Sequence, residues 1–426
     1  EIDASYTTYT RFSLILEDFL VHCFSYSYKL YIQTKCVDGL RQVSNIVRQG
    51  KINKTPVDEL KARMQNILRR MNKTFSKLDK FTSVSIPLNP KYKLKQFNIS
   101  KCKYMGSAQA PLWLVCEPTD IYAKDVYVLF KSGDDLRQDL LTLQIMETMN
   151  QLWLISGYCM RLRIYKVIPT GRESGFVEIV TNSRTFNDIA VNLGGGVVAG
   201  PQDETVHVKY LKNTHPSKHN VKLREAAQDR YLRSTAGYCI ASWILGIGDR
   251  HSDNIMIHEC GDLFHIDFGH FLGNFKVKKI SLFKVCSTEW QRERSPFVFL
   301  PAMKYCIKYD FHVDKPGVKE DEKNENYQRF VNLCTTAMDA IRRRHRLLLT
   351  LFSLMIPSQM PELLKESDIY YMRKQMGLQQ HLNESSAAKT ANYDEVRQLV
   401  INELNDSFKD GVRIFDHVIH SIVHSK

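Results

Sequence analysis

The chain has 426 residues, of which 43% are hydrophobic and 11% aromatic, and it carries a net charge of +13 at pH 7. That apolar content excludes a disordered or low-complexity polymer, and the length is enough for two or three packed units. The basic excess suits an acidic partner, such as nucleic acid, anionic lipid headgroups or a nucleotide.

In chain order, residues 1–80 read as helices and the opening reads as mid-domain. Arg11 to Glu17 begins one helical run and Val57 to Asn72 forms an amphipathic one. From 81 to 182 the pattern becomes β-rich, with strand-like runs at Leu112–Val115, Val126–Phe130 and Phe176–Val180. One helix interrupts them, with the stripe Leu136, Leu140, Leu143, Met146, Met149 and Trp153 on a single face. From 183 onward the chain reads as mainly helical, with one short strand at Leu263–Phe268 and exposed loops at 315–326 and 380–390. The apolar stretch Leu347–Ile356 stops at Pro357, too short to span a bilayer. Ten cysteines are scattered without a Cys-x-x-Cys pair, the usage of a reduced, cytoplasmic chain.

The densest chemistry lies in Asp249-Arg250-His251-Ser252-Asp253-Asn254 and in His265-Ile266-Asp267-Phe268-Gly269. Asn254 follows Asp249 by five positions and Asp267 follows Asn254 by thirteen. Phosphoryl transfer needs such a set: one group to orient or deprotonate the acceptor hydroxyl, and two oxygen ligands for Mg²⁺ against the ATP phosphates. The Asp-to-Asn step equals that of the protein-kinase catalytic loop, but the order Asp-Arg-His is inverted relative to His-Arg-Asp. His251 and Asp249 both qualify as the base, the first by its neutral form near pH 7 and the second by spacing. Asp267 follows an apolar run, and a carboxylate ending a buried strand requires a partner or a metal. Lys131 closes a strand-like run before Gly133-Asp134-Asp135, placed to reach phosphates as a fixed charge. Asp139 can orient that ammonium or a metal-bound water, and Asp134 and Asp135 can serve a helix N-terminus instead. Met105-Gly106-Ser107-Ala108-Gln109-Ala110-Pro111 is a small-residue turn able to cover phosphates with backbone N–H groups and the Ser107 hydroxyl.

Three segments together, 131–139, 246–256 and 264–274, resemble the phosphoinositide 3-kinases, most closely class I. The likeness runs from about residue 100 to the C-terminus, and the opening helices resemble the end of that family's helical domain. It implies an α+β, bilobal kinase-like fold, with a small β-rich N-lobe at 81–182 and a larger helical C-lobe at 183–426, preceded by helices at 1–80. It also implies ATP and Mg²⁺ as cofactors. Lys131 and Ser107 would then serve the phosphates, and Tyr165 and Asp139 would line the inner pocket. The backbones of Glu178 and Val180 would hold adenine between Trp113 and Met256. Asn254 and Asp267 would hold the metal, while His251, Asp249 and Arg250 would form the catalytic loop.

The implied activity is transfer of the ATP γ-phosphate to the 3-hydroxyl of phosphatidylinositol or phosphatidylinositol 4,5-bisphosphate. The enzyme would be cytoplasmic and recruited peripherally to membranes, with no nucleic-acid partner. A regulatory subunit and a small GTPase would act through regions absent from these residues. A phosphoinositide 4-kinase, a related serine/threonine kinase and an inactive nucleotide- or membrane-binding module are the alternatives. Arg-Glu-Arg-Ser-Pro-Phe-Val at 292–298 opposes the first two, and retention of Lys131, Asn254 and Asp267 opposes the last.

Two departures from the family pattern stand out. The phosphate loop has Gln109 and Ala110 where a Lys or Arg is usual. The activation segment is long between Lys276 and Arg292, and Lys278, Lys279, Arg292 and Arg294 suit a polyphosphorylated headgroup. At the C-terminus, Phe408, Val412, Phe415, Ile419 and Ile422 recur at helical spacing, which predicts an amphipathic helix that contacts membrane.

Overall fold

The computed structural model describes residues 2–78, 84–86, 88–107, 109–196, 199–216, 221–274, 277–280, 288–291, 297–378 and 392–409. The chain divides into two compact units, one formed by residues 1–136 and 165–179 and the other by 137–164 and 180–426.

The first unit opens with helices α1 (Ile2–His22), α2 (Ser25–Ile52) and α3 (Val57–Phe75). Its strands are β1 (Ser85–Ile86), β2 (Asn89–Phe97), β3 (Lys103–Tyr104), β4 (Leu112–Pro118), β5 (Val126–Ser132), β6 (Val167–Gly171) and β7 (Ser174–Glu178). They form one antiparallel sheet in the order β1-β2-β4-β5-β7-β6, with β3 also on β4. Alternation in β5 turns Val128 and Phe130 into the core and Leu129 and Lys131 toward the opposite face. On α2, Val37, Leu40, Val43 and Val47 recur every three or four residues and are buried with Met64 and Leu68 of α3 against Leu114, Val128 and Phe176. Arg41 of α2 adds donors to the Thr170 carbonyl at 2.7 Å and to Ser174 Oγ at 3.0 Å. Pro118 closes β4 and β7 ends at Glu178, two residues short of the expected Val180.

The second unit holds α4 (Arg137–Ile155), β8 (Ser183–Thr185), α5 (Phe186–Leu193), α6 (Val206–Thr214), α7 (Val221–Leu245), β9 (Ile255–His258) and β10 (Leu263–His265). It continues with β11 (Val277–Ile280), β12 (Thr288–Gln291), α8 (Pro301–Lys308), β13 (Tyr309–Asp310), β14 (Lys315–Pro316), α9 (Glu325–Arg342), α10 (His345–Met355), α11 (Glu366–Gln375) and α12 (Tyr393–Lys409). The one strand expected beyond residue 183 is therefore joined by others. β10, β9 and β8 form an antiparallel sheet in that order. α7 is buried on nearly every side over its second half, as expected of a central helix packed on α4, α9 and α11. On α4 the stripe Leu143, Met146, Met149 and Trp153 is buried, while Leu140 is half-exposed and Leu141 takes an inward position. Trp153 also donates its indole N–H to the Ala337 carbonyl of α9 at 2.9 Å. Among the described residues, no helix is long and apolar enough to cross a membrane.

His207 of α6 lies within this packing, 2% exposed, against the Phe186 ring and with Nδ1 2.7 Å from the Tyr231 hydroxyl. Burial pushes its pKa down from 6.5 to about 3. The fold therefore holds the neutral ring, whereas the unfolded chain takes up the proton below the ordinary value. Stability attributable to His207 is complete above about pH 6.5 and is lost toward pH 3, at up to about 1.4 kcal/mol per pH unit. Urea unfolding stepped from pH 7 to pH 4.5 should show a steeper loss for the wild type than for His207→Gln. Equal slopes would contradict the assignment.

Candidate active site

In the first unit Trp113 and Lys131 share one face of the sheet. Trp113 of β4 pairs with Leu129 of β5, which pairs with Val177 of β7, and Lys131 follows on the same side of β5 two residues on. Trp113 makes an edge contact with Tyr127 at 6.3 Å between centroids and lies under Lys103 Nζ at 5.2 Å. Lys131 Nζ sits 3.9 Å from an Asp134 carboxylate oxygen, and its side chain is 16% exposed. Tyr165 is buried. Glu178 is anchored twice to Lys166: its N–H donates to the Lys166 carbonyl at 2.8 Å and its carboxylate accepts the Lys166 N–H at 2.8 Å. Ser107 is exposed in the turn between β3 and β4.

In the second unit the catalytic-loop residues are built around the buried guanidinium of Arg250, which is 4% exposed. Its Nε donates to the Gly248 carbonyl at 2.9 Å, Nη1 to the Ile266 carbonyl at 2.8 Å, and Nη2 to the Asp267 carbonyl. Its carbon lies 5.6 Å from the Phe268 ring centroid. One planar cation thus joins the 248–250 turn to the 266–267 turn, using a fork of donors that lysine lacks. The antiparallel pairing of β9 with β10 continues the same junction, because the Ile266 N–H donates to the Asn254 carbonyl at 2.9 Å. Asp267 follows directly on the residue bonded to Asn254.

The Asn254 amide is oriented by its own contacts. Nδ2 lies 2.9 Å from the Asp249 carbonyl and 3.0 Å from His251 Nε2. With Nδ2 committed in this way, Oδ1 is the atom of this amide that can ligate a cation. His251 Nδ1 faces the Asp253 N–H at 3.2 Å. Asp249 and Asp267 have left-handed backbones, with φ of 58° and 64°. Such conformations cost of order 1–3 kcal/mol each and persist only where the surroundings enforce them.

Residues on α4 and α11's approach hold the rest of the segment. The buried carboxylate of Asp139 accepts the Phe268 N–H at 3.0 Å. Gln138 Nε2 donates to the Gly269 carbonyl at 2.8 Å, and its Oε1 accepts the Glu362 N–H at 3.0 Å. The Glu362 carboxylate receives the Phe271 N–H at 2.7 Å and lies 2.7 Å from His270 Nδ1. The Gly273 N–H reaches the Gly246 carbonyl at 3.1 Å, and a Cβ on Gly246 would meet the Gly273 nitrogen at 2.4 Å. A side chain at Gly246 is therefore incompatible with this close approach.

Comparison with known proteins now bears on this geometry. The family described as "Phosphatidylinositol 3- and 4-kinase" matches residues 125–365. The chain belongs to the phosphatidylinositol 3- and 4-kinase family. It is 36% identical over 400 residues, 93% of its length, to Phosphatidylinositol 3-kinase 2 of Dictyostelium discoideum. It is 35% identical over 369 residues, 87% of its length, to Phosphatidylinositol 3-kinase 1 of the same organism. It is also 36% identical over 341 residues, 80% of its length, to Phosphatidylinositol 4-phosphate 3-kinase C2 domain-containing subunit alpha of Pongo abelii. Those alignments cover 19%, 21% and 18% of the relatives, so the chain spans about a fifth of their length. These relatives do not single out class I.

Within this phosphatidylinositol kinase fold, the structure brings Asp249, Arg250, His251, Asn254 and Asp267 together in the second unit, with Asp139 beside them through Phe268. Met256 is half-buried on β9, opposite Thr185 and Phe264, and Val180 is half-buried after β7. One expectation changes. Asp267 does not end a buried strand: β10 stops at His265 and Asp267 is exposed beyond it. Asp139, expected to orient an ammonium or a water, also accepts a backbone N–H at Oδ1. Sequence reasoning missed Gln138, Glu362 and His270. Gln138 adjoins Asp139, yet its partners lie 131 and 224 positions away, beyond any local pattern. Lys278 and Lys279 fall on β11 with side chains outside the described residues, as are Arg292, Arg294 and 410–426 of the expected C-terminal helix.

If Asp139 holds the segment after Asp267, Asp139→Ala should speed amide hydrogen exchange across 266–271 by about tenfold or more. Asp139→Asn keeps an acceptor at Oδ1 and should change it far less. Exchange unaltered in Asp139→Ala would show that the bond does not hold the segment.

Proposed function

We propose that the chain is the catalytic part of a lipid kinase that transfers the ATP γ-phosphate to the 3-hydroxyl of phosphatidylinositol or phosphatidylinositol 4,5-bisphosphate at a membrane surface. The observation that supports this reading is the Arg250 junction, which ties the backbone at Asp267 to the loop carrying Asp249, while Asn254 is bonded to Asp249, His251 and Ile266. Asn254 Oδ1 and the Asp267 carboxylate fit Mg²⁺, which takes one or two protein oxygens and completes its shell with water and phosphate oxygens. Among the described residues no cluster of three or more His, Cys, Asp or Glu competes for a metal. The bound cation would supply charge neutralisation at the phosphates.

In this reading residues 1–80 are helices that precede the small lobe at 81–182 and the large lobe at 183–426. Lys131 offers a fixed positive charge to the phosphates, and Ser107 its hydroxyl and N–H. Trp113, Tyr165 and Met256 supply apolar and aromatic surface for adenine, with the backbones of Glu178 and Val180 as hydrogen-bonding groups. His251 and Asp249 serve the inositol hydroxyl, one accepting its proton and the other orienting it. Arg250 positions both turns without touching substrate. Lys278, Lys279, Arg292 and Arg294 complement the headgroup phosphates.

The deciding experiment is incubation with γ-labelled ATP, Mg²⁺ and a panel of inositol lipids, with the labelled ring position identified. Label at the 3-position is expected. Label at the 4-position would make the chain a 4-kinase, and nucleotide binding without transfer would make it a binding module. Asp267→Asn should abolish Mg²⁺-dependent transfer, by about 10²-fold or more, and should exceed the loss in Asn254→Ala, because it deletes a full charge facing the cation. Wild-type metal dependence in both variants would remove the metal roles.

A further inference from the structure

The turn between β3 and β4 lacks a basic side chain of its own, with Gln109 and Ala110 at the places where one is usual. Two cations reach it from α2 instead, within the first unit. Lys51, in the last turn of α2, places Nζ 2.6 Å from the Gly106 carbonyl and 2.5 Å from the Ser107 carbonyl. Arg48, one turn earlier, donates through Nη1 to Gln109 Oε1 and to the Ser132 carbonyl, each at 3.2 Å. Its Nη2 is held by Asn45 Oδ1 at 2.6 Å. A Cβ on Gly133 would lie 2.5 Å from Arg48 Nη1, so glycine there, with φ of +99°, is what admits the guanidinium.

We propose that Lys51 is a positioning residue for the nucleotide phosphates, supplying from α2 the charge and backbone orientation that the turn does not provide itself. The proposal rests on ATP being the phosphate donor. A trans peptide unit directs its C=O and N–H to opposite sides. Binding the Gly106 carbonyl to Lys51 therefore turns the Ser107 N–H of the same unit away from α2, and fixes it. The turn is closed at its base by the Met105 N–H to Pro111 carbonyl bond at 2.9 Å and within by the Ala110 N–H to Ser107 carbonyl bond at 3.1 Å. Those bonds set the turn's shape, whereas Lys51 sets the direction of its outer peptide and adds a positive charge on its carbonyl side. Arg48 links the same turn to the end of β5, one residue beyond Lys131, so the two candidate phosphate contacts are braced by one helix end.

The test measures ATP and lipid kinetics together with competition by adenosine, which has the base but no phosphates. Lys51→Ala should raise KM for ATP about tenfold, with kcat within about threefold and with lipid KM, adenosine inhibition and melting temperature unchanged. Lys51→Arg, which can still donate to both carbonyls, should recover most of the loss. An unchanged KM for ATP in Lys51→Ala, with the wild type active, overturns the role of Lys51 alone. A rise in KM matched by weaker adenosine inhibition or a lower melting temperature also overturns it, since that marks a collapsed turn. If the wild-type chain neither binds ATP nor transfers phosphate, the kinase reading and this proposal fall together.

Discussion

The buried Arg250 guanidinium is the interaction on which the candidate site depends. Its three carbonyl acceptors, on Gly248, Ile266 and Asp267, belong to two segments of irregular backbone that it ties together. Burying a charge is costly unless its donors are satisfied, and satisfying them here requires both segments to present carbonyls to one point. The same demand accounts for the left-handed backbones of Asp249 and Asp267, a conformation that Asp tolerates better than most residues. Asn254 is fixed to this frame through the Asp249 carbonyl, and the β9–β10 pairing carries the frame into the core.

A layer of neutral and acidic groups surrounds that frame. Asp139, Gln138 and Glu362 take the Phe268 N–H, the Gly269 carbonyl and the Phe271 N–H, and the His270 carbonyl accepts the Gly248 N–H, so side chains and backbone together hold the segment after Asp267. Irregular backbone is otherwise prone to exchange and slippage, because it lacks a ladder of its own. The site therefore gains rigidity from α4 and from the stretch preceding α11, while the groups proposed for chemistry remain on the turns.

Much of this was readable in the sequence. The Val-, Leu- and Phe-rich runs at 112–115 and 126–130 lie within strands, and the catalytic-loop and Asp-Phe-Gly segments come together. What escaped has physical reasons. β2, Asn-Pro-Lys-Tyr-Lys-Leu-Lys-Gln-Phe, is too polar to read as a strand and is stabilised by β4 and the core beneath Leu94 and Phe97. The bond from the Phe268 N–H to Asp139 escaped because its two residues lie 129 positions apart. Lys51 carries no signal at all, since a lysine near a helix C-terminus ordinarily complements the helix dipole, and only tertiary structure shows the carbonyls it meets.

The most direct test of the account is the rate of phosphate transfer to inositol lipid by Arg250→Lys at saturating ATP, read alongside its melting curve. A lysine keeps the charge but cannot donate to three carbonyls in a plane. The account predicts a rate at least about 10²-fold below wild type in a chain that still unfolds cooperatively. A rate within about threefold of wild type would contradict it.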